Sequence, residues 1–284
     1  MKIVTLFLLY AVITSSTVFS QTGTLQLTKG QKFVIENKIS GTGKQEMMGQ
    51  SMESKAEMTS TSSVEVKDVT DKNYNLSNNV IHMKAKVSAM GQEMAFDSDK
   101  KEDLESAQGP DLKKVINHPK DVVVDKTGKI ISLKKEQDRT DQNDMTSAML
   151  FKLLGEDPAD ESFGLHVIFV ALPKNVAAGY TWSDTASTGS VKKQTKYTVK
   201  EINGQIATVA ITGTSDINSQ DEIQSVEVIT KSTATVTGEE LVDITSGIIK
   251  SRTTTVETKG TVSAQGMDIP MNSKMTSLVT VNKS

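Results

Sequence analysis

Methionine is the residue type in this sequence whose spacing most suggests a specific chemistry. Seven of the 13 methionines fall in three short glycine-containing segments. Within these segments three pairs share the spacing Met-x-x-x-Met: Met48 and Met52, Met90 and Met94, and Met267 and Met271. Thioether side chains can fill gaps in a core, form an adaptable apolar surface around a ligand, or bind Cu(I). Leucine at Met48, Met90 and Met267 would separate the last two, since lipid binding would survive and Cu(I) binding would not.

The other residues that could do chemistry form no recognisable catalytic or metal-binding pattern. His82, His118 and His166 are far apart, and none has a metal-ligand spacing. The sequence has no Gly-x-Ser-x-Gly elbow and no glycine-rich phosphate loop. The acidic pair Glu239-Glu240 is expected to be solvated. We therefore predict no enzyme activity, no metal site and no cofactor, and we take the six methionines above and Trp182 as candidate ligand-binding residues.

Most of the chain alternates apolar and polar residues with period two, which is typical of strands with one solvated face. Residues 56–66 place Ala, Met, Ser and Val at alternate positions, and residues 81–87 place Ile, Met, Ala and Val between His and Lys. Asn203-Gly204 between two such stretches predicts a hairpin. The pattern indicates roughly ten to twelve strands in one antiparallel sheet.

One segment in the middle of the chain breaks this alternation. Methionine and leucine recur there at helical spacing, and glycine and proline follow, which predicts a helix over residues 144–155. Residues 165–172 form a continuous apolar run that should be buried. We expect both to pack on the concave side of the sheet. The predicted organisation is one β-rich domain over residues 21–284, with a first half (24–133), a helical connection (134–172) and a second half (173–284).

Residues 1–20 have the pattern of a secretory signal peptide. Lys2 precedes an apolar run, and small residues near Ser20 favour cleavage before Gln21. The chain has no cysteine, which excludes disulfides and lipid attachment at a cysteine. A net charge of −3 without a basic block argues against nucleic-acid binding. The mature protein is therefore expected to be periplasmic or secreted, with no transmembrane segment.

Three pairs of segments indicate a loose internal repeat. They are Leu27 to Phe33 with Leu172 to Trp182, Val124 to Ile130 with Val242 to Ile249, and Val87 to Met94 with Val262 to Met271. The second and third pairs follow in exchanged order in the two halves. Hairpins of similar chemistry would produce the same pattern in any meandering sheet.

The segment Leu172-Pro173 with Val176, Gly179 and Trp182 resembles a Leu-Pro…Val-x-x-Gly-x-x-Trp signature. That signature belongs to an uncharacterised family of Gram-negative envelope proteins with signal peptides. The sequence departs from it at Tyr180, where an acidic residue is common, and in its sparse aromatic residues. The family implies no activity.

The strand-rich pattern is similar to the half-barrels of lipoprotein carriers. By that analogy we expect a curved sheet that binds a lipid or acyl chain without catalysis. The alternative is a structural or protein-interaction module with an envelope protein as its partner.

Overall fold

The computed structural model describes residues 23–47, 50–89, 91–106, 113, 115–133, 165–187, 190–223, 226–264 and 266–284. The strands are β1 (Lys32–Met47), β2 (Gln50–Val69), β3 (Asn73–Ala89), β4 (Gln92–Asp97), β5 (Lys120–Asp125), β6 (Ile130–Leu133), β7 (Thr181–Ser187), β8 (Val191–Asn203), β9 (Ile206–Ile223), β10 (Val226–Asp243), β11 (Ile248–Ala264) and β12 (Met267–Lys283). A short helix α1 (Lys101–Leu104) and a 3-10 turn (Leu165–Val167) are the helical elements of this part of the chain. The predicted signal peptide and the predicted helix over 144–155 lie outside the described residues and stay predictions.

The twelve strands form one open antiparallel sheet, which confirms the predicted fold class. Their order is β6-β5-β3-β2-β1-β12-β11-β10-β9-β8-β7, and β4 also pairs with the end of β3. The chain's first and last long strands, β1 and β12, are neighbours in the centre, so the two halves join there. The predicted Asn-Gly hairpin is confirmed between β8 and β9, where Gly204 has a φ of 61°.

One face of the sheet, here called the inner face, is buried along most of its length. On β2 the alternation predicts it correctly, since Ala56, Met58 and Val64 are all buried. On β3 the prediction is wrong at Ile81, which is 38% exposed. Ile81 is the extra residue of a bulge opposite Thr61 and Ser62, so the inner-face phase changes there, from Val80 before the bulge to Met83 after it.

Two segments close one end of the inner face, and we call them the plug (residues 23–27 and 165–172). The Leu25 N–H donates to the Lys126 carbonyl in the β5–β6 turn (2.7 Å), and the Gln26 N–H donates to the Ser246 carbonyl in the β10–β11 turn (3.0 Å). Strands β5 and β11 are five positions apart in the sheet. On a flat sheet that is about 24 Å, at about 4.8 Å per strand. Consecutive residues can bridge the two turns only because the sheet is strongly curved.

The predicted burial of the apolar run 165–172 is confirmed. Leu165, Ile168 and Ala171 are all 0% exposed. Phe169 packs edge-on against Phe33, with ring centroids 6.4 Å apart, and it bridges to Ile248. The run therefore joins residues of both halves in one core at this end.

The two turns matched in the sequence hold the plug from opposite sides. In the first, Asp125 Oδ1 accepts the N–H groups of Thr127 (2.8 Å) and Lys129 (3.0 Å). In the second, Asp243 Oδ1 accepts those of Thr245 (2.9 Å) and Ser246 (3.1 Å). The similar turn chemistry thus has a shared position in the fold, at the plugged end.

Candidate functional site

On the inner face away from the plug, small side chains lie among larger buried ones such as Met58 and Phe96. Near the plug, large residues such as Phe33, Leu76 and Ile249 are fully buried. The opposite end, where the β1–β2, β9–β10 and β11–β12 hairpins turn, is here called the tip end. Between the plug and the tip end, small buried residues alternate with valine and methionine: Gly41, Ala56, Ala85, Ser232 and Ala234. Side chains of this size do not fill a concave face by themselves.

Glycines on the inner face of the second half allow neighbouring strands to approach closely. A Cβ atom at Gly213 would lie 2.7 Å from the Gln194 carbonyl oxygen, and one at Gly238 would overlap the Thr253 carbonyl. Such contacts would force the strands apart. The missing side chains therefore let β8 to β11 curl tightly.

The described candidate methionines all lie on the inner face, with different exposure. Met271 is buried and Met52 is half-buried. Both pair with Gln45 of β1, one from each neighbouring strand. Met94 and Met267 are 45% and 40% exposed, toward the tip end. Met48 and Met90 lie outside the described residues. A ligand-binding role for these residues stays a prediction.

Trp182 lies on β7 and packs into the core of the second half. Its ring stacks on Tyr197, with centroids 5.0 Å apart and planes 7° from parallel, and Tyr180 lies 5.8 Å away. It is 6% exposed. Its predicted role in binding a ligand likewise stays a prediction.

Beside this aromatic stack lies a group that we call the charged cluster. Four strands supply it: Asp184 from β7, Lys193 and Tyr197 from β8, Glu240 from β10 and Arg252 from β11. Glu240 is 0% exposed, and its Oε2 lies 3.5 Å from Nη1 of Arg252. The Glu240–Arg252 pair lies next to Val242 and Ile249, which pack under the plug. The curl of β7 to β11 brings these side chains together across the inner face.

Burial and charged neighbours shift the pKa of every member of the charged cluster. Desolvation raises the pKa of Glu240 to about 7 and that of Asp184 to about 6, while Arg252 acts against both shifts. Desolvation lowers the pKa of Lys193 to about 8 and raises that of Tyr197 to about 12. For Arg252 the nearby Tyr197 and Glu240 outweigh desolvation and raise its pKa further.

Several buried polar atoms of this region have no hydrogen-bond partner among the described residues. They are both carboxylate oxygens of Glu240, Oδ1 of Asp184, Nε1 of Trp182 and Oγ of Ser232. Lys193 is half-buried and forms no ion pair with another described residue, although Asp184 is close enough to affect its pKa. Glu240 has the charge of Arg252 beside it, but buried oxygens without a hydrogen bond are costly, so this arrangement calls for an explanation.

The sequence-based expectation that Glu239 and Glu240 are both solvated is wrong for Glu240. Only Glu239 is exposed, where it pairs with Lys200 at 3.4 Å. A signal was present in the sequence, because Glu240 is in phase with Ala234, Val236 and Val242 on the apolar face of its strand. The strand alternation continues through the pair, because β10 ends only at Asp243.

His82, expected to be isolated, meets Asp97 and Asp99 near the β3–β4 hairpin. One ligand atom from each of the three residues lies within 4.8 Å of the others. His82 Nδ1 is 3.1 Å from Asp99, and Lys84 pairs with Asp97 at 3.2 Å. The Asp97 carboxylate also accepts the Asp99 N–H at 3.1 Å. These internal contacts account for the group as an ion-pair network.

Among the residues that the structure describes, none lies in a helix long and apolar enough to cross a membrane.

Comparison with solved structures finds distant similarities. The chain is similar to lipovitellin, in a structure concerned with its lipid–protein interactions, at 14% identity and a TM-score of 0.49, covering 91% of this chain and 26% of that one. It thus spans about a quarter of the lipovitellin chain. An outer membrane channel from Pseudomonas putida F1 is 8% identical, with a TM-score of 0.25 and coverage of 93% and 100%. OccK5 from Pseudomonas aeruginosa is 7% identical, with a TM-score of 0.27 and coverage of 89% and 98%. No function is carried over at this level of similarity.

Comparison with known sequences agrees with the resemblance at its coarse level. No curated protein matches the chain. The model of DUF6263, described as a family of unknown function, matches residues 71–249. Membership of an uncharacterised family is thereby confirmed, whereas the signal peptide and the envelope location stay predictions. Because the match covers more than half of the 284 residues, the chain belongs to DUF6263.

Proposed function

We propose that this protein binds a hydrophobic ligand, a lipid or an acyl chain, on the concave inner face of its sheet. The proposal includes no catalysis. It places the protein in the periplasm or outside the cell, in keeping with the predicted signal peptide.

The observation that carries the proposal is the inner face between the plug and the tip end. Its floor is apolar yet built partly from glycine, alanine and serine, such as Gly41, Ala56 and Ala234. Larger buried side chains, including Met58 and Met83, lie among these small residues. A curved sheet with an apolar, shallow floor is a typical site for a chain-like apolar ligand.

Gly41 offers a sharp test because it can accept a side chain without a backbone clash. A Cβ there would lie 3.7 Å from the Lys274 carbonyl oxygen and 3.9 Å from Met275, which are ordinary contacts. We expect Gly41→Phe to fill the inner face and weaken binding of a fluorescent fatty acid by about tenfold or more, since displaced apolar contacts cost over 1 kcal/mol. Ser40→Phe, on the exposed face of the same strand, is the matched control.

Unchanged fatty-acid binding in a folded Gly41→Phe protein would contradict the proposed site. Thermal melting establishes that the variant is folded, and Gly41→Leu is the second variant if phenylalanine is too large. Solvent extraction of natively purified protein, followed by mass spectrometry, identifies a resident lipid.

The second candidate is a protein-interaction module without a small ligand. It is favoured by the exposed methionines Met94 and Met267 and by β6 and β7, the edge strands of the sheet among the described residues. Failure of every lipid probe, together with capture of one defined envelope protein that is lost in Met94→Lys, would support this candidate.

A further inference from the structure

The charged cluster is a built site that the binding of an apolar chain leaves unexplained. We infer that it binds the zwitterionic head group of the ligand, with an ammonium donating to Glu240 and Asp184 and a phosphate accepting from Lys193. Phosphatidylethanolamine is the lipid class with this chemistry. The inference rests on the proposed function and specifies the ligand of that site.

The carboxylates require a donor. Glu240 is fully buried, and neither of its oxygens has a hydrogen-bond partner among the described residues. Asp184 is 3% exposed, and its Oδ1 likewise has no hydrogen-bond partner among the described residues. Arg252 forms an ion pair with Glu240, but the 3.5 Å between Nη1 and Oε2 is too long for a good hydrogen bond. An ammonium group brings N–H donors for these acceptor oxygens.

Lys193 requires the opposite partner, an anion. Lys193 is half-buried and has no ion pair with a described residue, so an anionic oxygen could pair with its ammonium. Glu240 is in register with Val209 and, through it, with Val199 of β8. Lys193 lies three inner-face positions from Val199 toward the tip end. A phosphate at Lys193 would therefore lie on the side from which an acyl chain on the small-residue floor would come.

The charges of the cluster favour a ligand without net charge. When all four groups are ionised, the charges of Asp184 and Glu240 balance those of Lys193 and Arg252. A zwitterion adds no net charge to a buried region, whereas a singly charged head group would leave one charge unbalanced there. Tyr197, whose hydroxyl contacts Asp184 and Arg252, is the remaining titratable group that faces the site.

The experiment compares monomeric short-chain phosphatidylethanolamine with phosphatidylcholine of the same acyl chains, by calorimetry on the full mature chain. Choline has no N–H donor, so we expect phosphatidylethanolamine to bind about tenfold more tightly. Glu240→Gln and Lys193→Met should each remove most of that preference. Glu239→Gln and Lys196→Met, on the exposed face of the same strands, should keep it.

The outcomes separate this inference from the proposed function. Equal binding of both lipids, unaffected by Glu240→Gln and Lys193→Met, overturns the head-group site and leaves the acyl-chain site standing. If neither lipid nor the fatty-acid probe binds, the proposed function fails, and the head-group site fails with it. Two independent variants keep the result decisive if one of them does not fold.

Discussion

At the scale of single residues, Glu240 should govern how stability depends on pH. Desolvation raises its pKa from 4.5 to about 7, so the folded protein holds this proton more tightly than the unfolded chain does. Its contribution is therefore fully favourable below pH 4.5 and is lost as the pH rises through 7. Asp184, with a pKa raised to about 6, acts in the same direction.

Between pH 4.5 and about pH 7, the pKa values of Glu240 in the unfolded and the folded protein, we expect this residue to lower the free energy of unfolding by on the order of 3 kcal/mol. Glu240→Gln should remove that slope, and Glu239→Gln should retain it. Urea unfolding below pH 8, where the lowered pKa of Lys193 does not yet contribute, measures the effect. A slope that is the same in wild type and Glu240→Gln would show that this carboxyl does not control the dependence.

The sequence predicts the burial of the residues around Glu240 correctly, but it does not predict the burial of Glu240 itself. Alternation places Val236 and Val242 on the buried face correctly, and Glu240 shares their phase. Charged residues are rarely fully buried, so a local pattern favours a solvated position for it. The partners that make burial tolerable, Arg252 and Tyr197, come from strands β11 and β8, and only the folded sheet brings them near.

At the scale of elements, turn glycines fix how the hairpins meet the plug. Gly247 has a φ of 75°, and a Cβ there would lie 2.5 Å from Leu25 Cδ2 and 3.1 Å from the Val170 carbonyl oxygen. Gly204 has a similar φ of 61° with open space around it. Both turns need glycine for the backbone, and Gly247 also needs it for packing.

Gly247→Ala should therefore cost more stability than Gly204→Ala. The backbone strain is about 1–2 kcal/mol at both positions, and the steric clash adds roughly 1–3 kcal/mol at Gly247. Chemical unfolding of the two variants measures the difference. Equal losses would mean that the plug yields to the extra methyl group and does not hold this turn tightly.

Elements of this kind are where sequence reasoning succeeds. The Asn203-Gly204 hairpin and the Asp-initiated turns follow from local chemistry and are present as expected. The reversal at Ile81 was not predictable, because a bulge depends on how two distant strands pair. The matched sequence segments gave no sign that Leu25 would lie between the two turns, since that contact exists only after the sheet has curved.

At the scale of the molecule, alternation along the strands predicts one antiparallel sheet but not the closure of one end. That closure depends on residues 23–27 and 165–172 reaching across the concave face. Residues 165–172 were identified by their continuous hydrophobicity, whereas residues 23–27 are too short and too mixed to stand out. The pairing of β1 with β12 links the two halves, and the plug links them a second time.

Leu25 is the residue on which this second link depends most. Its side chain is 0% exposed between Gly128 of the β5–β6 turn and Gly247 of the β10–β11 turn, and its carbonyl accepts the Tyr74 hydroxyl at 2.5 Å. We expect Leu25→Ala to cost about 2–5 kcal/mol, with the exposed neighbour Thr24→Ala near neutral. Hydrogen exchange should then accelerate in both turns, residues 125–130 and 243–249, because they share one support. Faster exchange in only one turn would mean that the halves are held at this end by separate contacts, and the curvature would have to come from the inner-face glycines alone.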